Sequence, residues 1–212
     1  MKKSNKKISK KKLGKSLVIT GIVYLMVALS LFAYNKITDF QAGEFSEKVM
    51  QEITEYMQSD SKKSTQQKDN QENKNTDNPT ENRAVSFEGY DFIGYLTVEK
   101  LSLNLPIMAD WNYDRLNISP CRYSGSVSTS DLVIAGHNYS SHFGTLSYLE
   151  KGDSVLYTDF SNHTYHYRVE LIEILQPTET KKMSAGEYDL SLFTCNLSGQ
   201  ARVTVRCKKI SV

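Results

Sequence analysis

Cys195 closes the apolar run LSLFTC, and Arg202 opens the next run, RVTVRC, with Gly199 in the polar stretch between them. A hairpin of that kind brings thiol and guanidinium side by side. The positive charge favours the thiolate, and the guanidinium N–H groups can hydrogen-bond a developing oxyanion. His137 follows the apolar run LVIA and a glycine, a strand end where an imidazole meets solvent and exchanges protons near neutral pH. Nucleophile, proton carrier and stabiliser together make an acyl-transfer set. Each residue also has a plainer reading, since a free cysteine often serves as a small buried hydrophobe. Cys207 fits that reading: Val203, Val205 and Cys207 share one strand face, while Arg202, Thr204 and Arg206 share the other. Cys195 instead adjoins a polar loop. His142, His163 and His166 lie in polar, turn-like or exposed-strand surroundings, and Cys121 follows a proline in a loop.

The elements that must position these residues are short alternating or β-branched runs at 90–98, 103–108, 132–135, 154–158, 164–175, 190–194 and 202–207. Seven or eight strands separated by turn residues predict a mainly β domain over 85–212, a barrel or a sandwich. Short helices are expected around 113–118 and 145–149.

Ahead of that domain the chain changes character three times. Residues 1–15 form a basic tail with eight lysines, and setting these aside turns the formal net charge of +2 into an acidic balance. An acidic body argues against a nucleic-acid partner, which needs positive charge on the folded domain. Residues 16–34, SLVITGIVYLMVALSLFAY, carry no charge and are long enough as a helix to cross the hydrocarbon of a bilayer. The flanking lysines predict a cytoplasmic N-terminus. No A-x-A-like site closes the run, so an uncleaved anchor is expected rather than a signal peptide. Over 35–58, Phe45, Val49, Met50, Ile53, Tyr56 and Met57 recur at helical spacing, the pattern of an amphipathic juxtamembrane helix. Residues 59–84 lack core-forming side chains and read as a polar, disordered linker.

Three cysteines are too few and too odd in number for a disulfide framework in an extracytoplasmic chain. No CxxC spacing or HExxH run supports a zinc site, so neither a metal nor another cofactor is expected.

The segments VIAGHN, LFTC and ARVTVRC resemble the sortase family of Gram-positive surface transpeptidases. The resemblance extends to IGYLTVEKLSLNLPI, YSGS and HFGTLSYLEKGDSV, and so covers the chain from about Tyr90 onward in family order. It implies a closed, eight-stranded β-barrel with short helices. It also gives His137, Cys195 and Arg202 the family's catalytic roles and places Thr194 and Ala135 against the substrate. Ser191 departs from the usual threonine of the TLxTC pattern, and Arg206, four residues after Arg202 on the same strand face, is the competing arginine.

The activity implied is cleavage of an LPxTG-like sorting signal through a thioacyl-enzyme, followed by transfer to an amine. The partners implied are surface proteins bearing that signal and a cell-wall precursor that supplies the amine, with the catalytic domain extracellular. A thiol hydrolase on the same fold, a pilus-assembly sortase and a non-catalytic surface domain are the alternatives. The ending KKISV directly after the last strand favours wall anchoring over pilus assembly, and the short stretch 176–189 lacks the long helical insertion of haem-protein-anchoring sortases. Some sortases are activated by calcium, but Asp110, Asp114, Glu179 and Glu187 have no diagnostic spacing and read as solvated carboxylates.

Overall fold

The computed structural model describes residues 10–66 and 83–211. The first helix, α1, runs over Lys10–Gln66 and so continues past residue 58, where the polar linker was expected to begin. The rest of that linker, 67–82, and most of the basic tail lie outside the described residues.

The chain divides into two units at residues 38 and 39. In the first, Leu17, Ile22, Leu25 and Phe32 are exposed on a helix whose apolar window has a mean hydropathy of 2.3. By length and composition this helix can cross a membrane, where exposed apolar side chains face lipid.

The second unit, residues 39–212, holds the remainder of α1 and the barrel. Its strands are β1 Val85–Phe87, β2 Tyr90–Val98, β3 Leu103–Met108, β4 Cys121–Ser124, β5 Leu132–Ala135, β6 Ser154–Asp159, β7 Thr164–Leu175, β8 Leu190–Cys195 and β9 Arg202–Lys209. Two single-turn helices, α2 Tyr113–Leu116 and α3 Thr180–Met183, interrupt them. Pairing runs β2-β3-β4-β5-β8-β9-β7-β6, and β6 returns to pair with β2, so eight strands close the barrel. β1 extends the same edge of β2 that β6 occupies further along. Two pairs, β3–β4 and β5–β8, are parallel, and the other pairs around the ring are antiparallel.

Alternation along the strands sends one set of side chains inward. Leu96, Ile107, Ile134, Val155, Val169, Leu192 and Val205 fill the interior, joined by Phe143 and Leu146 from the segment after β5. Cys207 lies in this core with no exposed surface, as its strand face predicts. Outside the barrel, Val49, Met50 and Ile53 of α1 pack on Phe87, Phe92, Met108 and Phe160. The apolar stripe read from the sequence is therefore the seam between helix and barrel. Cys121 sits in the same cluster, fully buried and starting a strand rather than occupying a loop. Its thiol is pushed up to about 12 by burial and donates to the Ser119 carbonyl at 3.3 Å. All three cysteines are free thiols.

Candidate active site

β8 and β9 are joined by a turn that Asn196 closes twice. Its N–H donates to the Ala201 carbonyl at 2.9 Å, and its Oδ1 accepts from Ala201 N–H at 3.2 Å. Gly199 takes φ +73° at the tip, a left-handed conformation that favours glycine. The turn fixes the register in which Cys195 pairs directly with Arg202. Arg202 Nη1 donates to the carbonyls of Gly199 and Ala201 at 3.1 and 3.2 Å, which ties the guanidinium to the turn beside the thiol.

His137 comes from the neighbouring strand. β5 pairs in parallel with β8, Ala135 opposite Phe193, and Gly136 prolongs the ladder by donating its N–H to the Phe193 carbonyl at 3.0 Å. A Cβ on Gly136 would fall 2.5 Å from the Phe143 ring, so only glycine lets that core aromatic pack beneath the histidine segment. The His137 carbonyl accepts from Phe143 N–H at 3.2 Å. Burial lowers the pKa of the imidazole, with the Asp39 charge acting the other way. Its Nδ1 is buried without a hydrogen-bond partner, and its ring stacks on Tyr139 with centroids 4.0 Å apart and planes 15° from parallel.

Cys195, His137 and Arg202 all border one cleft of about 460 Å³, and Thr194 and Ala135 line it too. One part of its wall is aromatic. Tyr123 packs 5.2 Å from both Trp111 and Phe193, and Trp111 lies 5.7 Å from Tyr113. Trp111 and Tyr113 stand at the entry to α2, in the polar run DWNYD, where exposed aromatics were the available sign of a binding wall. A second, more polar cavity of about 410 Å³ shares Thr194 and Cys195 and is bordered by Asn138, Ser147, Asn196 and Ser198. The Thr194 hydroxyl is buried without a partner.

Arg206, the competing arginine, has a different place. It pairs in register with Ser191, away from the turn, and only 1% of it is exposed. Nε donates to Glu173 Oε1 at 3.0 Å, Nη1 to the Met183 carbonyl and Ser191 Oγ at 2.9 and 2.8 Å, and Nη2 to the Lys182 carbonyl at 2.7 Å. It anchors α3, whose Thr180 and Met183 form part of the cleft wall. Ser191, which replaces the family's threonine, uses its hydroxyl in that anchor. Of the other histidines, His142 differs from expectation: it is fully buried, and burial with the nearby His137 lowers its pKa to about 4.

Among the described residues no group of three or more His, Cys, Asp or Glu is placed to hold a metal ion. The Asp110 carboxylate lies 3.6 Å from Arg115, and Glu179 accepts from Gln176 N–H at 2.7 Å.

The closed barrel has the fold of known sortases. The fold resembles sortase C1 from Streptococcus agalactiae (TM-score 0.52, 22% identity, covering 57% of this chain and 68% of that one). It also resembles sortase C from Streptococcus pneumoniae (TM-score 0.52, 21% identity, 57% and 70%) and a lid mutant of sortase A from Corynebacterium diphtheriae (TM-score 0.51, 20% identity, 63% and 75%). No curated protein sequence matches the chain. The sortase domain model matches residues 96–210, more than half of the chain. The protein belongs to the sortase family and is an enzyme of the transpeptidase kind.

Proposed function

We propose that this enzyme is a membrane-anchored cysteine transpeptidase that cleaves an LPxTG-like sorting signal on surface proteins and passes the acyl group to a cell-wall amine. The observation that carries this reading is the convergence of Cys195, Arg202 and His137 on one cleft. The signal peptide lies along Trp111, Tyr123 and Phe193. The Cys195 sulfur attacks the scissile carbonyl while its proton passes to His137. Arg202 faces the oxyanion, and the partnerless Thr194 hydroxyl is free to donate to the same substrate. As the C–N bond breaks, His137 returns the proton to the departing amine, leaving a thioester on Cys195. An acceptor amine then attacks the thioester, forming a new amide and restoring the thiol. The apolar helix holds the enzyme in the membrane, N-terminus inside, with the barrel outside the cell.

The test is to incubate the full chain in detergent with a panel of LPxTG-like fluorogenic peptides, with and without amine acceptors. Expected are cleavage that disappears in Cys195→Ala and, with an acceptor present, peptide–amine conjugates. Hydrolysis alone across a varied acceptor panel contradicts transpeptidation and favours the thiol hydrolase. Cleavage by Cys195→Ala contradicts the assigned nucleophile.

A further inference from the structure

Where α1 meets the segment after His137, it presents small residues. Asp39, Ala42, Gly43 and Ser46 follow one another at i, i+3, i+4 and i+7, which places them on one helix face. Asp39, Ala42 and Ser46 are buried, and a Cβ on Gly43 would lie 3.2 Å from the Ser141 Cβ. Small side chains thus let the turn at residues 139–142 lie directly against the helix. Asp39 then grips that turn. Its Oδ2 accepts from the Ser140 N–H at 3.2 Å and from the Ser140 hydroxyl. Its Oδ1 accepts from the Ser141 N–H at 3.0 Å and lies 2.7 Å from the Ser141 hydroxyl.

The residues on either side of the gripped pair bear on His137. Tyr139 stacks flat on its ring, while His142 is buried next to Tyr139, with ring centroids 5.6 Å apart. The apolar seam of Val49, Met50 and Ile53 already attaches α1 to the barrel, so docking alone does not require a buried carboxylate.

We propose that Asp39 is a positioning residue of the active site: by fixing the Ser140–Ser141 turn it holds Tyr139 flat against His137 and so sets the plane of the imidazole at the Cys195 cleft. The helix that continues from the apolar segment is on this account part of the catalytic apparatus rather than a stalk. The proposal rests on the reading of His137 as the proton carrier.

The chain holds four histidines, so selective 13C-histidine labelling of the full chain in detergent micelles gives four resolvable sites, with His137→Gln assigning the one of interest. In Asp39→Ala, and independently in the Ser140→Ala/Ser141→Ala double variant, the His137 ring signals are expected to move downfield as the Tyr139 ring current is lost. The kcat on an LPxTG-like fluorogenic peptide is expected to fall roughly 10- to 100-fold, with KM held within about twofold. Asp39→Asn, which keeps a carbonyl oxygen as acceptor, should recover part of the loss. Unmoved His163 and His166 signals certify the fold, and if Asp39→Ala does not fold, the double serine variant decides. A folded variant with unmoved His137 signals, or with moved signals and undiminished kcat, overturns the proposal. If the wild-type chain does not cleave the peptide, the proposed substrate fails, and the His137 signals alone then decide whether Asp39 positions the ring.

Discussion

Arg206→Met removes the guanidinium beneath α3 while keeping an unbranched apolar side chain in its place. The lost donors leave the Met183 and Lys182 carbonyls and the Ser191 hydroxyl short of partners, and leave the Glu173 carboxylate, 16% exposed, with only Lys182 Nζ at 2.9 Å. Breaking a buried ion pair by removing one partner costs about 3–5 kcal/mol, and the surviving Lys182 contact places this case near 3. At roughly 2–4 °C per kcal/mol for a chain of this size, the melting temperature should fall by about 6–12 °C. Thermal melts of the full chain in detergent measure this. The pH dependence supplies a signed check. Burial acts to raise the Glu173 carboxyl, but hydrogen bonds from Lys182 and Arg206 outweigh it and hold the pKa below its ordinary value. The folded-state pKa is depressed, so the stabilisation is fully present above the unfolded carboxylate pKa and is lost as pH falls from there through the lower folded-state pKa. Arg206→Met should therefore lose less stability on acidification than the wild type. Because Thr180 and Met183 shape the cleft, its KM for peptide should rise more than its kcat falls. A melting shift below about 2 °C refutes the anchoring role, and a pure kcat loss at unchanged KM would mean that Arg206, not Arg202, acts in the chemistry.

Two further outcomes follow. His142 is held neutral by burial with its pKa near 4, so the unfolded chain takes up that proton first as pH drops below about 6.5, and up to about 3 kcal/mol of stability is lost between there and pH 4. His142→Gln should flatten that stretch of a melting-temperature-against-pH curve, and an unchanged slope contradicts the assignment. Ile53→Ala opens a cavity in the fully buried seam between α1 and the barrel and should cost about 2–4 kcal/mol. Faster cleavage of α1 in limited proteolysis would report it, and wild-type resistance would show that the seam does not hold the helix.

The parts of this molecule legible in its sequence are those fixed by local chemistry. The Cys195–Arg202 pairing follows from two alternating runs joined by a glycine turn, and the barrel strands follow from their period-two pattern. What the sequence concealed depends on neighbours distant in the chain. His142 sits among serines and reads as a polar turn, yet it is fully buried beside Tyr139, with backbone neighbours at Ala42 of α1 and at Ile118, both distant in the chain. Strand β4, CRYS, offers neither an apolar nor a β-branched run, unlike the equally short LVIA of β5. The position of Arg206 on the same strand face as Arg202 could not disclose that α3 covers one and leaves the other at the cleft. Asp39 was obscured because the large apolar residues on the following turns dominate the helical pattern, whereas its own face is made of small residues. The polar run from Ser59 to Gln66 continues the helix, since its lysines, glutamines and serines tolerate a helix without supplying a core.

The claim on which the rest depends is that Cys195 forms a thioester with a sorting-signal peptide. Intact-mass spectrometry of the full chain, quenched in acid during turnover of LPxTG-like peptides without an amine acceptor, tests it most directly. A mass increase equal to the peptide's acyl portion is expected, located on Cys195 by fragmentation and absent from Cys195→Ala. Peptide cleavage with no adduct on Cys195, or an adduct on Cys121 or Cys207 instead, would contradict it.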